Sequence, residues 1–203
     1  MGYSQAWLAI RGKSPDTVLQ TLGLKATGQY EEFAESPIVG TMLPSGWFLV
    51  VANRSGYESQ LSHEPTIATV SLNCEVISGD VEEHVMASSL CGWKNGQKTW
   101  SVFHIGERNT EHLEFQGDMP SAFYAIRDRL LNEQQKAGGR KAGADYVFDI
   151  PVELCKSLIG YRYSQDIAGA EKNPFEALLE TRSDAENKKP SLWSRLFGSA
   201  RRG

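Results

Sequence analysis

The chain of 203 residues is 40% hydrophobic and 23% charged, with a formal net charge of −4. This composition supports a packed core and excludes the low-hydrophobicity, high-charge profile of a disordered chain. The acidic balance argues against a nucleic-acid partner, which needs a broad cationic face to displace counterions from phosphates. Three cysteines, Cys74, Cys91 and Cys155, occur without a CxxC spacing. They fit free thiols in a reducing, cytoplasmic setting better than a disulfide framework. The apolar stretch 6–10 is too short for a secretory-signal core, and no run approaches the roughly 18 apolar residues of a membrane-spanning helix.

In chain order, residues 5–11 read as a first strand. A helix signal follows: Ser14 as N-cap, Pro15 at the first helical position and Asp16 at the positive end of the dipole. Val18, Leu19 and Leu22 form its apolar face, and Gly23 supplies a left-handed stop. Residues 26–44, punctuated by Pro37 and Pro44, read as mostly irregular. The continuous apolar run 47–52 has the form of a strand covered on both faces. Residues 67–76 alternate, with Val70, Leu72, Cys74 and Val76 on one side, and read as a half-polar strand.

Asn95-Gly96 separates 81–94 from Gln97–Ile105 and favours a type I′ turn, so these segments are predicted to form a hairpin. A two-residue loop sets Lys94 opposite Gln97, Cys91 opposite Trp100 and Ala87 opposite His104. Cys91, Trp93, Trp100, Val102 and His104 then share a face, and His84, Met86, Leu90 and Phe103 take the other. A third strand at 112–116, with Leu113 and Phe115 inward, completes a meander. An amphipathic helix at 121–136 presents Phe123, Ile126 and Leu130. The glycine-rich stretch 137–144 reads as a mobile hinge. A strand at 146–150, a helix from Pro151 to the stop at Gly160, an edge strand at 161–163 and a last helix opened by Asn173-Pro174 follow.

The expected fold is α+β, a mainly antiparallel sheet around the Asn-Gly hairpin and meander, flanked by two to four helices. Residues 1–163 are read as one domain, divisible into 1–60 and 61–163. An extension at 164–187 carries the last helix, and 188–203 form a basic amphipathic tail.

The cluster Glu82-Glu83-His84 is the first candidate for general acid or base chemistry, since a carboxylate beside an imidazole poises a proton near neutral pH. On a strand only Glu82 shares the face of His84, and a solvated strand end is the ordinary alternative. His104, set in an apolar strand, reads chiefly as a hydrogen-bonded core histidine. The cysteines and histidines scatter, so no metal site is expected. No G-x-S-x-G, G-x-G-x-x-G or Walker pattern occurs, and no cofactor is expected. In the tail, Lys188, Lys189 and Arg195 flank Leu192, Trp193, Leu196 and Phe197, whose helical spacing puts the apolar groups on one side. That pattern suits an anionic membrane surface or the groove of a partner.

The functional expectation is a non-enzymatic binding or regulatory protein, adaptor-like or immunity-like, that recognises a protein partner. It is placed in the cytoplasm and, through its tail, at the inner face of the membrane. One alternative is a small hydrolase using His84 or His104 with Glu82, Glu107 or Glu114. The other is a peripheral membrane protein whose tail is its main functional part.

Overall fold

Burial on both sides of the central strands sorts the chain into three layers. The computed structural model describes residues 2–53 and 57–181. In chain order the strands are β1 Ser4–Arg11, β2 Leu24–Glu31, β3 Ile38–Met42, β4 Phe48–Asn53, β5 Glu75–Glu82, β6 Ala87–Lys94, β7 Gln97–Ile105, β8 Glu114–Gly117 and β9 Phe175–Glu180. They form one antiparallel sheet in the order β2-β9-β3-β4-β1-β5-β6-β7-β8. Helices α1 (Pro15–Leu22), α2 (Glu58–Leu61) and α3 (Glu64–Val70) bury Val18, Leu22, Leu61, Ile67 and Val70 on one face, with Leu8, Ile10 and Val50 beneath them. Helices α4 (Ala122–Lys136) and α5 (Asp149–Ile159) bury Phe123, Leu130, Leu154 and Ile159 on the other, against Trp7, Leu49, Val51 and Val102. The fold is α+β with a mainly antiparallel sheet. Among the described residues no helix is long and apolar enough to cross a membrane.

The local signals hold where they are complete. Ser14 Oγ accepts the Thr17 amide, Pro15 opens α1, and Gly23 closes it at φ 68°. The run at 48–53 is an interior strand, with Leu49, Val50 and Val51 fully buried. Asn95 and Gly96 adopt φ 51° and 80°, as the type I′ turn requires. Lys94 pairs with Gln97 as expected.

Two residues further into the hairpin the register slips. Trp93 pairs with Lys98 and Gly92 with Trp100, leaving Thr99 as a bulge whose hydroxyl donates to Gly92 O. Cys91 therefore faces Ser101, and His104 faces Ser88. Leu90 packs with Trp100 and Val102 towards α4 and α5, while Cys91 and Trp93 turn to the opposite face. The segment 81–94 is also two strands, broken at a turn where Met86 has φ 49°.

Several further segments differ from their expected form. Residues 26–44 contain most of β2 and all of β3, and 67–76 hold the end of α3, a turn and the start of β5. Residues 146–150 lead into α5, which begins at Asp149, and 161–163 run as coil. The helix expected after Asn173-Pro174 is strand β9, inserted between β2 and β3. Within 137–144, a 3-10 turn at Gly139–Lys141 is bonded to the buried Gln134, whose Nε2 donates to Gly139 O at 2.8 Å. The third meander strand lies at Glu114–Gly117, where Phe115 is exposed and rests on Phe123.

Two tryptophans on the α4–α5 face use glycines as seats. Trp7 sits opposite Gly79 and Trp100 opposite Gly92, and a Cβ at either glycine would lie 2.4 Å from Trp7 Cζ2 or 2.1 Å from Trp100 Nε1. Neither indole can yield, because both are buried beneath the helices. Gly79→Ala and Gly92→Ala are each expected to lower stability by about 1–3 kcal/mol through overpacking. Urea denaturation should show this as lower midpoints at unchanged slope.

Candidate functional site

The histidines flagged by sequence are not brought together. His84 stands on the β5–β6 turn with its side chain 58% exposed, and its Nδ1 lies 2.6 Å from Glu82 Oε1. Hydrogen bonds from Ser4 and then from His84 pull the Glu82 carboxyl down to about 2. This is a solvated ion pair at a strand end. It borders a shallow depression of about 340 Å³ that Asp145 also lines, but the His84 imidazole is committed to Glu82.

His104 is fully buried, and both its ring nitrogens meet acceptors. Nδ1 is 2.5 Å from His112 O, and Nε2 is 2.9 Å from Asp145 Oδ2. Nδ1 needs its proton to meet a carbonyl, and an ionised Asp145 asks for a second proton on Nε2. Asp145 Oδ1 also accepts the Phe148 amide, and Ser88 Oγ donates to Phe148 O at 2.8 Å. The cluster therefore fastens the start of α5 to β6 and β7. Neither nitrogen is free for a substrate. Glu107 is exposed on the lining of the same depression as His84 and has no hydrogen bond to it, and Glu114 is held by His112 and Arg108, hydrogen bonds from His112 first among the causes that lower its carboxyl. Asp145 and His112 had no signal in the sequence, being respectively distant in the chain and set in a polar turn.

The thiols are not activated. Burial pushes Cys91 up to about 11 and Cys155 up to about 12, and raises Cys74, whose Sγ lies 3.1 Å from Val70 O. No group of histidine, cysteine or carboxylate side chains able to hold a metal occurs among the described residues. Lys188, Lys189, Trp193, Arg195 and Phe197 lie outside the described residues.

A more spacious concavity than the one beside His84 has another origin. It is a cleft of about 600 Å³ between the loop 32–35, the first residues of β1 and the segment 161–175 that joins α5 to β9. Its base is a chain of side-chain hydrogen bonds across the α4–α5 face of the sheet. Tyr161 Oη donates to Gln5 Oε1 at 2.5 Å, Gln5 Nε2 to Asn53 Oδ1 at 2.6 Å, and Asn53 Nδ2 to the carbonyls of Ala34 and Ser36. Every link is buried or half-buried, so the network fixes its parts with little freedom.

The segment 161–175 is pinned at several points. Arg162 bonds Asp149 at 2.9 Å and also Glu153, and Tyr163 Oη donates to Glu83 Oε1 at 2.7 Å. Burial, followed by Glu83, pushes the Tyr163 hydroxyl well up, so it stays a donor. Phe175, the first residue of β9, closes the floor.

The rim carries the charge. Glu32, Glu35, Asp166 and Glu171 line it, all exposed, against the single ammonium of Lys172. None of the four carboxylates forms an ion pair with a described residue, since Arg162 is already taken by Asp149 and Glu153. Tyr3 and Phe33 stand on the same walls, 48% and 53% exposed. An aromatic cleft ringed by unpaired carboxylates suits a cation with apolar stem. The sequence concealed it, because its parts come from four separate stretches and one of them, β9, reads as helix.

Set beside protein-family models, curated proteins and solved structures, the chain matches none of them. The site is therefore read from its own geometry.

Three measurements test these assignments. In native protein at neutral pH, iodoacetamide should leave Cys91 and Cys155 unmodified until denaturant is added, as mass spectrometry would show. Long-range ¹H–¹⁵N spectra should show protons on both ring nitrogens of His104. Asp145→Ala should cost about 3–5 kcal/mol by stranding that charge, measured by chemical denaturation.

Proposed function

We propose that this chain is a non-catalytic binding protein, and that its cleft receives a lysine- or arginine-bearing segment of a protein partner. The observation that carries this reading is the joining of exposed aromatic rings, Tyr3 and Phe33, to four carboxylates that form no ion pair with any described residue. Each cation–aromatic contact is worth about 0.5–2 kcal/mol depending on its exposure, and the rim carboxylates draw basic groups in from a distance. The aliphatic stems of lysine and arginine cover ring surface while their charged heads reach the rim. The overall negative charge acts in the same direction. A hydrolytic role finds less support, with both nitrogens of His104 engaged and His84 bonded to Glu82 on an exposed turn.

The test is calorimetric titration of the full chain with a short peptide alternating lysine and tyrosine, beside its glutamate-for-lysine counterpart. The lysine peptide should bind saturably, and more weakly as salt rises. Joint substitution of Glu32→Gln and Glu171→Gln at the exposed rim should weaken it by about tenfold or more, equivalent to about 1.4 kcal/mol. Equal binding of the two peptides, or undiminished binding by the variant, would overturn the proposal.

A further inference from the structure

The opposite face of the sheet holds a second polar recess, of about 170 Å³, where the α2–α3 junction leaves the strands uncovered. It has room for roughly five or six waters, reckoned at about 30 Å³ each. Its floor follows from the strand register. Asp80 pairs with Ser89 and Ser78 with Cys91, so these four side chains rise on one face between β5 and β6. Leu61 and Ile67 wall it on the helix side, and Trp93 on the sheet side.

Asp80 is the anomaly in this recess. Its hydrogen-bond partner is the Ser89 hydroxyl, 2.5 Å from Oδ2, and no cation among the described residues lies within ion-pairing distance. Lys98 stands at the mouth but is bonded to Glu64, with its ammonium 5.3 Å over the Trp93 ring. A half-buried carboxylate without a counter-charge is costly unless something supplies one. Burial accordingly pushes Asp80 up, with Ser89 alone opposing it. The remaining polar groups are hydroxyls: Ser62 at the mouth, and Ser78, which already accepts the Trp93 indole N–H at 3.2 Å. The recess thus offers a negative charge, hydroxyl oxygens and an apolar wall, and it lacks a free positive donor for an anion.

We propose that this recess binds a small primary ammonium group, with Asp80 as its counter-charge. The three N–H donors of an ammonium match the Asp80 carboxylate and the hydroxyl oxygens of Ser62 and Ser89, and a short carbon chain lies against Leu61, Ile67 and Trp93. A quaternary ammonium has no N–H to give. The site is independent of the aromatic cleft, which lies on the other side of the sheet.

The experiment titrates the isotopically labelled full chain with ethylammonium chloride, with N-acetyl-lysine amide, and with sodium and tetramethylammonium chlorides as controls. Saturable shifts at Ser78, Asp80, Ser89 and Cys91 are expected with one or both of the primary amines and with neither control. The tighter of the two identifies the source as a free amine or a lysine side chain. Affinity should fall at least about tenfold in Asp80→Asn, which removes the charge at constant shape, an effect equivalent to about 1.4 kcal/mol. It should fall likewise in Ser62→Phe, which blocks the exposed mouth and carries the test if the first variant fails to fold. No saturable shift with either amine, an equal response to tetramethylammonium, or unchanged affinity in a folded variant would overturn the assignment. None of these results depends on whether the lysine-tyrosine peptide binds at the cleft.

Discussion

A strand buried on both faces still needs hydrogen-bond partners along both edges, and for β3 one of those edges is met only by chain from far away. β4 covers one side of β3 from Ile38 to Met42, and β9 covers the other, pairing Ala177 with Val39 and Glu176 with Gly40. Without β9, fully buried Val39 would lie on an open sheet edge beside unpaired amide and carbonyl groups. The same insertion carries β2 outward as the edge strand and fixes Phe175 in the floor of the cleft. It also ties down the segment 161–174, whose two ends are held by α5 and by the sheet. The proposed binding site is in this sense a product of sheet completion.

Several buried polar side chains of the described interior are answered by fixed partners. His104 has Asp145, Gln134 has Gly139 and Tyr146, and Gln5 has Tyr161 and Asn53. The pairs of His104 and Gln5 join elements distant in sequence, while that of Gln134 ties the end of α4 to the turn that follows it. Against that background, Asp80 and the rim carboxylates stand out because no described cation pairs with them. The functional proposals rest on those exceptions, since an unanswered charge in a cavity is a feature that folding alone does not explain.

Much of the architecture was legible where the signal was short-range. The Ser14-Pro15 cap, the Gly23 and Gly160 stops and the Asn95-Gly96 turn each depend on residues within a few positions, and each stands where expected. Longer-range competition decided the rest. The sequence FEALLE at Phe175–Glu180 is rich in helix formers, yet the open side of β3 makes it a strand. Val70, Leu72, Cys74 and Val76 alternate as a strand would, but Pro65 opens a helix turn that carries Val70 into the core beneath α1. One bulge at Thr99 shifted the hairpin by a residue and separated Cys91 from the face of His104. The histidine candidates were visible as residue types, whereas their true partners, Glu82 alone excepted, were not. The cleft was hidden because it assembles from β1, β4, the loop 32–35 and the segment leading into β9.

Native-state hydrogen exchange on the full chain tests most directly the claim that β9 completes the sheet and thereby builds the cleft. The β9 amides bonded to β2 and β3 should exchange as slowly as those of β3 and β4, and open together with them. Rapid exchange of Phe175–Glu180 while β4 stays protected would contradict it, and would leave the cleft without its floor.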